Sequence, residues 1–384
     1  MSRTPETPGF ARSVSGEDVP EPVDLLGGKA GPADLRALLA AVAGSVGDVP
    51  QLLALARSAG KTLPLPGPQS PASNSTAAVW TVLASIAAVD VAAARIFEPH
   101  LDALAILDQA GIPDSGGRTW GVFAAEGPGL RLEAIATTLA AQDNHVRGPE
   151  EGPQWLLDGS KPWCSLASAL DGALVTAHTP DAGRALFAIS LKDGTVEAEE
   201  PDWIAHGLRE VPSGSIHCAG TPAVPVGNPG WYHARPGFAW GGMAVAACWL
   251  GGAVAVARDF SRSLNHQADG GRQPDQLALA ALGEMDRTLT MTLRWLGATA
   301  QAVDAGELDG ADAWPEALRV RATVAAAVER VLDLAARNRG PAPLAFDRTY
   351  AKRMADLSLY VRQHHGSRDD AQLARFTLQG KRSW

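Results

Sequence analysis

Cysteine is scarce in this chain. Cys164, Cys218 and Cys248 are the only three in 384 residues and lie far apart, without a C-x-x-C or Cys/His spacing. That excludes a disulfide framework and a zinc-finger-type site, and it fits a reducing cytosol. Positive charge is also short: 33 Lys and Arg stand against 42 Asp and Glu, a formal net charge of −9. A partner with a phosphate backbone calls for a basic face, so no nucleic-acid partner is expected. The sequence has no G-x-G-x-x-G after a strand, no G-x-x-x-x-G-K-S/T, no H-E-x-x-H and no G-x-S-x-G. Rossmann and P-loop nucleotide sites, zinc proteases and nucleophile-elbow hydrolases are thereby set aside, and no metal site is expected.

Long apolar runs are equally rare. The polar, Pro-rich N-terminus has no secretory apolar core, and residues 1–31 read as a disordered leader of a cytoplasmic protein. One uncharged run, FAWGGMAVAACWLGGAVAVA at 238–257, meets the roughly 18-residue length of a membrane span. Its Ala and Gly drive insertion weakly, so it is expected as a helix buried on all sides, with no membrane span.

What the chain does have is enough hydrophobic material, 46% of its residues, and enough length for about two to three domains. Helical periodicity fills 32–117, as at Leu35, Leu38, Leu39 and Val42. Between 118 and 235 it gives way to short apolar runs bounded by Gly, Pro and Asp: TWGVFAA, QWLLDG, GALVTAHT, RALFAISL and GSIHCAG. These read as strands. Long helical patterns return at 238–263, 274–305, 315–338 and 348–363, which predicts a four-helix bundle over 236–375 and a tail at 376–384. The fold class is α+β, mostly α: an N-terminal helical domain, a middle β-barrel domain and a C-terminal bundle.

Four segments in this order carry a resemblance. WLLDGSKPWCSLASALDGALVTAHT sets Gly159, Lys161, Trp163 and Ser165 in a G-x-K-x-W-x-S pattern between two strands. IAHGLREVPSGSIHCAGTPAVPVGN aligns Gly207, Leu208, Arg209, Ser213, Val224 and Pro225, and WGVFAAEGPG retains Glu126 at a strand end. QPDQLALAALGEMDRTL sets out Gln276, Leu282, Gly283, Glu284 and Met285. Together they resemble the acyl-CoA dehydrogenase family over about 32–368.

The resemblance implies FAD, with Trp163 as a flat wall for the isoalloxazine ring and Ser165 as a hydrogen-bond partner. Trp163 and Ser165, two apart on a strand, are expected on one side of it. Val122, Ala124 and Ala125 would offer backbone groups, although Ala125 replaces the family's hydroxyl residue. Gln276 and Gly340 are implied as further cofactor contacts. It also implies an acyl-thioester substrate undergoing α,β-dehydrogenation, an electron acceptor or flavin reductase as partner, and a homodimer or homotetramer.

The catalytic pattern departs from the family. Its base, a glutamate near the end of the last bundle helix, is absent: alignment on Asp356 places Gln363 or His364 there. The alternative position on the first bundle helix meets Ala247, Cys248 and Trp249. His364 is a candidate base, since an imidazole accepts a proton near neutrality. His364 and His365 before Gly366 equally suit a helix end. The family's arginine before F-G falls near Asn265, with Arg262 or Arg272 as substitutes, and its glycine turn reduces to Gly340 in RNRGPAPL. Two other readings follow: a flavin monooxygenase on the same fold, which needs no such base, and a non-catalytic or partner-activated member that has lost flavin. Trp231, Trp240 and Trp249 could line a pocket or fill core, Cys248 reads as a buried inert thiol, and the Tyr350, Met354, Leu357 and Val361 stripe as packing.

Overall fold

The computed structural model describes residues 21–26, 34–68, 74–114, 117–137, 154–180, 183–381 and 384. Four helices come first: α1 (Leu35–Gly44), α2 (Val49–Gly60), α3 (Ser75–Val89) and α4 (Val91–Gln109). Ala and Leu give α3 high helix propensity, and it is buried almost all round. Its first turn is capped from far away, because Asp304 accepts from Ser75 Oγ at 3.0 Å and from the Thr76 N–H at 2.8 Å. Asp90 then breaks α3 from α4 with an extended backbone, and its side chain accepts from the Ala93 N–H at 2.8 Å. That is an N-cap contact.

Seven strands follow: β1 (Trp120–Phe123), β2 (Leu132–Thr137), β3 (Gln154–Ser165), β4 (Gly172–Thr179), β5 (Gly183–Ser190), β6 (Val196–Ala198) and β7 (Ser213–Val226). The path β4-β2-β3-β7-β5 closes on itself through β4–β5, with β6 on β7. β1 pairs with β4 in parallel and approaches β3 without a ladder to it. Among the described residues the other edge of β1 carries no ladder, and its Trp120 N–H donates to His100 Nδ1 at 3.3 Å.

After the short α5 (Trp231–Ala234) come α6 (Pro236–Asp269), α7 (Gln276–Asp304), α8 (Ala313–Arg339), α9 (Ala342–Phe346), α10 (Arg348–Tyr360) and α11 (Ser367–Leu378). α6 is the central post, packed by α3, α4, α7, α8 and α10. It is the one described helix long and apolar enough to cross a membrane, and 83% of its apolar window is buried inside the protein. Glycine explains how it packs so closely: a Cβ on Gly251 would stand 2.0 Å from the Ala84 carbonyl oxygen of α3. Trp249 is fully buried on the same helix, and Cys248 is likewise at 0% exposure with burial pushing its thiol pKa up. The Tyr350, Met354, Leu357 and Val361 stripe is buried as well.

Some expectations need correction. The leader is not wholly unstructured: Val23 and Leu25 are buried, Arg258 donates to the Glu21 and Pro22 carbonyls, and glycine at 297 leaves room for the Leu25 carbonyl. Two buried apolar side chains and these hydrogen bonds hold this strap; residues 1–20 and 27–31 of the expected leader lie outside the described residues. The last bundle helix stops at Tyr360, and 361–363 tighten into a 3-10 turn whose Gln363 carbonyl accepts from Arg321. α11 carries helix to Leu378, into the segment read as a tail. β2 and β6 were not anticipated; β2 alternates on a half-exposed face, and β6 has only three residues.

Candidate active site

Lys161 anchors the motif strand. It is 1% exposed, and its Nζ donates to Glu126 Oε1 at 2.7 Å and Thr176 Oγ1 at 2.8 Å. A buried ammonium needs such partners. Burial pulls its pKa below the ordinary lysine value, against Glu126. Burial tends to raise Glu126, yet hydrogen bonds from Lys161 and Arg184 outweigh it and hold that carboxyl below its usual range. The pair pins the segment following β1 to β3.

The next residues do not alternate as a flat strand would. The β3–β7 register breaks between Lys161 and Cys164, and Trp163 takes φ +61°. Leu166 is also left-handed at φ +59°. Such angles are strained for side chains of this size, and they cluster at functional sites. The expectation that Trp163 and Ser165 share a side is thereby corrected: the indole is 60% exposed, whereas Ser165 is 9% exposed. A bulge cancels the two-residue period.

Ser165 Oγ accepts from Arg95 Nη2 at 3.1 Å and lies 2.7 Å from Ser213 Oγ. Arg95 comes from α4 and in turn faces Glu98, Nη1 to Oε2 3.6 Å. Burial pushes the Glu98 pKa up to about 7, against the pull of Arg95. The guanidinium thus bridges the barrel hydroxyl and a buried carboxyl one helical turn along. Arg95 was missed in the sequence, as was Glu98. The available signal was a charged pair at helical spacing inside VAAARIFEPHLDALAIL, a mostly apolar helix with Pro99 in its middle.

Two small cavities flank α4 here. One, about 10 Å³, is lined by Arg95, Pro99, Val122 and Ser165 among others; the second, about 20 Å³, by Glu98, Asp102, Gln109, Arg235 and Trp240. Each has room for a water-sized molecule. Gly237 and Gly241 on α6 make space for the polar group at the second, where Arg235 Nη1 donates to Gln109 Oε1 at 2.8 Å.

The other expected residues are distributed as follows. Val122 and Ala124 are half-buried and Ala125 exposed, along the unpaired edge of β1 and just past it. Gln276 begins α7 and Gly340 caps α8; the antiparallel pairing, marked by Arg330 Nε donating to Glu284 Oε1 at 2.8 Å, sets both at one end of the bundle. Neither lines the described cavity at Ser165. His364 follows the 3-10 turn, 12% exposed, with Nε2 3.7 Å from Asp369 Oδ2. Burial lowers its pKa. It lines neither small cavity, so it is not brought together with Ser165. Trp249 stacks under Arg321, Trp240 donates to the Leu308 carbonyl at 2.9 Å, and Trp231 lies beneath Arg235.

Compared with solved structures, the whole chain finds counterparts. A dibenzothiophene monooxygenase, TdsC, from Paenibacillus sp. A11-2 matches at a TM-score of 0.67 and 18% identity, over 90% of this chain and 96% of that one. A glutaryl-coenzyme A dehydrogenase in its glutaryl-CoA complex matches at 0.68 and 16%, over 91% and 96%. The chain has the acyl-CoA dehydrogenase fold. KijD3 in complex with FMN and a dTDP sugar adds a third example, at 0.67 and 15%, over 97% of both chains. No protein-family model matches the sequence, and no curated protein does. Lys161 and Glu126, two of the residues that carry the sequence resemblance, form an ion pair between a buried ammonium and a part-exposed carboxylate.

A flavin is the group this fold family implies. The chain's residues suit it at the wall and the edge: an exposed indole held out by a strained turn, near a strand, β1, that is laddered on one side only among the described residues. Ser165 is the exception, because its hydroxyl already has Arg95 and Ser213 as partners.

Proposed function

We propose that this chain is a flavin-dependent oxidoreductase that uses reduced flavin and molecular oxygen, with FMN as the preferred flavin. The supporting observation is the Arg95–Ser165 contact. Dehydrogenation of an acyl thioester requires a carboxylate at the substrate's α-carbon and space for an acyl chain. The group at Ser165 is instead a guanidinium, which accepts no proton at any working pH. The cavity that Arg95 and Ser165 line is about 10 Å³, room for a water-sized molecule.

Trp163 would support the ring, and Val122, Ala124 and Ala125 would meet its edge through the backbone. Bound flavin supplies two-electron transfer and, once reduced, reaction with oxygen. Arg95 would favour negative charge developing beside Ser165, as a preorganised cation in a partly dry site does. FMN-bound TdsC and KijD3 with FMN are precedents on the same fold.

The dehydrogenase reading has one observation in its favour, the Glu98 carboxyl poised near pH 7. A group of that pKa can act as a general base. The deciding experiment measures oxygen uptake by the FMN-incubated chain with a flavin reductase and NADH, beside α-proton exchange of a short acyl thioester in D2O. Protein-dependent oxygen uptake above the reductase background, without exchange, supports the oxygenase; exchange without that uptake overturns it in favour of the dehydrogenase.

A further inference from the structure

The largest of the described cavities lies away from Ser165. It is about 350 Å³, within the range of small-molecule sites, and lies between the end of α2, the second half of α4 and the segment leading into β1. Leu63, Leu65, Leu104 and Ile112 contribute apolar wall. Arg57, Lys61 and Arg118 stand at its exposed rim together with Asp108 and Asp114.

At its inner end is His100, 1% exposed. Its Nδ1 accepts the Trp120 backbone N–H at 3.3 Å, which assigns the ring proton to Nε2. Nε2 is buried without a hydrogen-bond partner. Burial lowers the ring's pKa to about 4, so at neutral pH it is a neutral donor. An unmet buried donor is costly and calls for an acceptor. Gly60 packs directly over Nε2, since a Cβ there would stand 3.1 Å from that nitrogen and 2.5 Å from Leu104 Cδ1. Among the described residues, the three rim cations make no ion pair within 4.0 Å, and Arg118 lies over the Trp120 ring at 5.9 Å.

We propose that this cavity binds a small organic anion, its charged group held by Arg57, Lys61 and Arg118, its apolar body on the leucines, and an oxygen acceptor at its far end meeting His100 Nε2. Cations outnumber carboxylates at the rim, which sets the sign of the ligand. The lone donor at the inner end sets its second polar group. The site shares no lining residue with the cavity at Ser165, although His100 holds the Trp120 N–H at the start of β1.

Calorimetric titration of the full chain with 4-oxopentanoate, hexanoate and hexylamine tests this. The expected result is one site for 4-oxopentanoate, at least threefold weaker binding of hexanoate, which lacks the far acceptor, and no binding of hexylamine. The surface double variant Arg57→Ala, Lys61→Ala is expected to lose tenfold or more, and Gly60→Ala to lose affinity by covering the donor. No binding of either carboxylate, equal binding of hexylamine, or affinity within twofold in the double variant would each overturn the proposal.

Discussion

Lys161 Nζ lies 2.7 Å from Glu126 Oε1, and this ion pair ties the segment following the first barrel strand to the strand that carries Trp163 and Ser165. Lys161→Met removes the cation and leaves Glu126 with Arg184 at 3.3 Å and His178. Loss of one member of a buried pair is severe, but Glu126 is 36% exposed, so the cost is set at about 2 kcal/mol. Urea unfolding at pH 7 checks this; a midpoint equal to wild type would remove the pair from the account.

Glu98 and His100 shape stability with pH in opposite directions. Glu98 rises from 4.5 to about 7 on folding, so the native state holds its proton longer. Its contribution is full below pH 4.5 and is lost as pH rises to about 7. Glu98→Gln should abolish that fall, gaining on the order of 2–3 kcal/mol at pH 8 relative to pH 4 when each is compared with wild type. His100 falls from 6.5 to about 4, so its contribution is full above pH 6.5 and is lost as pH falls to about 4. Unfolding curves at pH 4, 6 and 8 separate the two, and parallel pH profiles for wild type and Glu98→Gln would contradict the assignment.

Glycines in the bundle have opposite roles. Gly251 meets the α3 backbone, where a Cβ would come within 2.0 Å of an oxygen; Gly251→Ala must push two helices apart and is expected to cost about 3 kcal/mol or more. Gly283 is exposed on α7 with nothing within 4 Å of a Cβ. Gly283→Ala should stabilise by roughly 0.5–1 kcal/mol through helix propensity alone. Thermal unfolding of the two variants should move in opposite directions, and a shared direction would contradict the packing described for α6.

Periodicity made the long elements legible. The pattern at 274–305 became α7 at Gln276–Asp304, and that at 315–338 became α8 at Ala313–Arg339. The uncharged run of α6 was readable as core because its Ala and Gly suit close helix contact better than lipid. The site was harder to read, for physical reasons. Trp163 left its expected side because a bulge, invisible to a two-residue period, intervenes after Lys161. Arg95 meets Ser165 only through packing of α4 on the barrel, a contact across 70 residues of chain. His364 was reachable by alignment alone, and the fold turns it toward Asp369 instead.

The assignment of flavin to the strained turn is tested most directly by titrating the purified chain with FMN and following flavin absorbance and fluorescence, in parallel with Trp163→Ala. The indole is exposed, so its removal leaves the fold intact. The account predicts that wild type binds FMN at about one equivalent per chain and that Trp163→Ala weakens binding tenfold or more. Flavin that stays free in wild type, or binds Trp163→Ala with unchanged affinity, would contradict it.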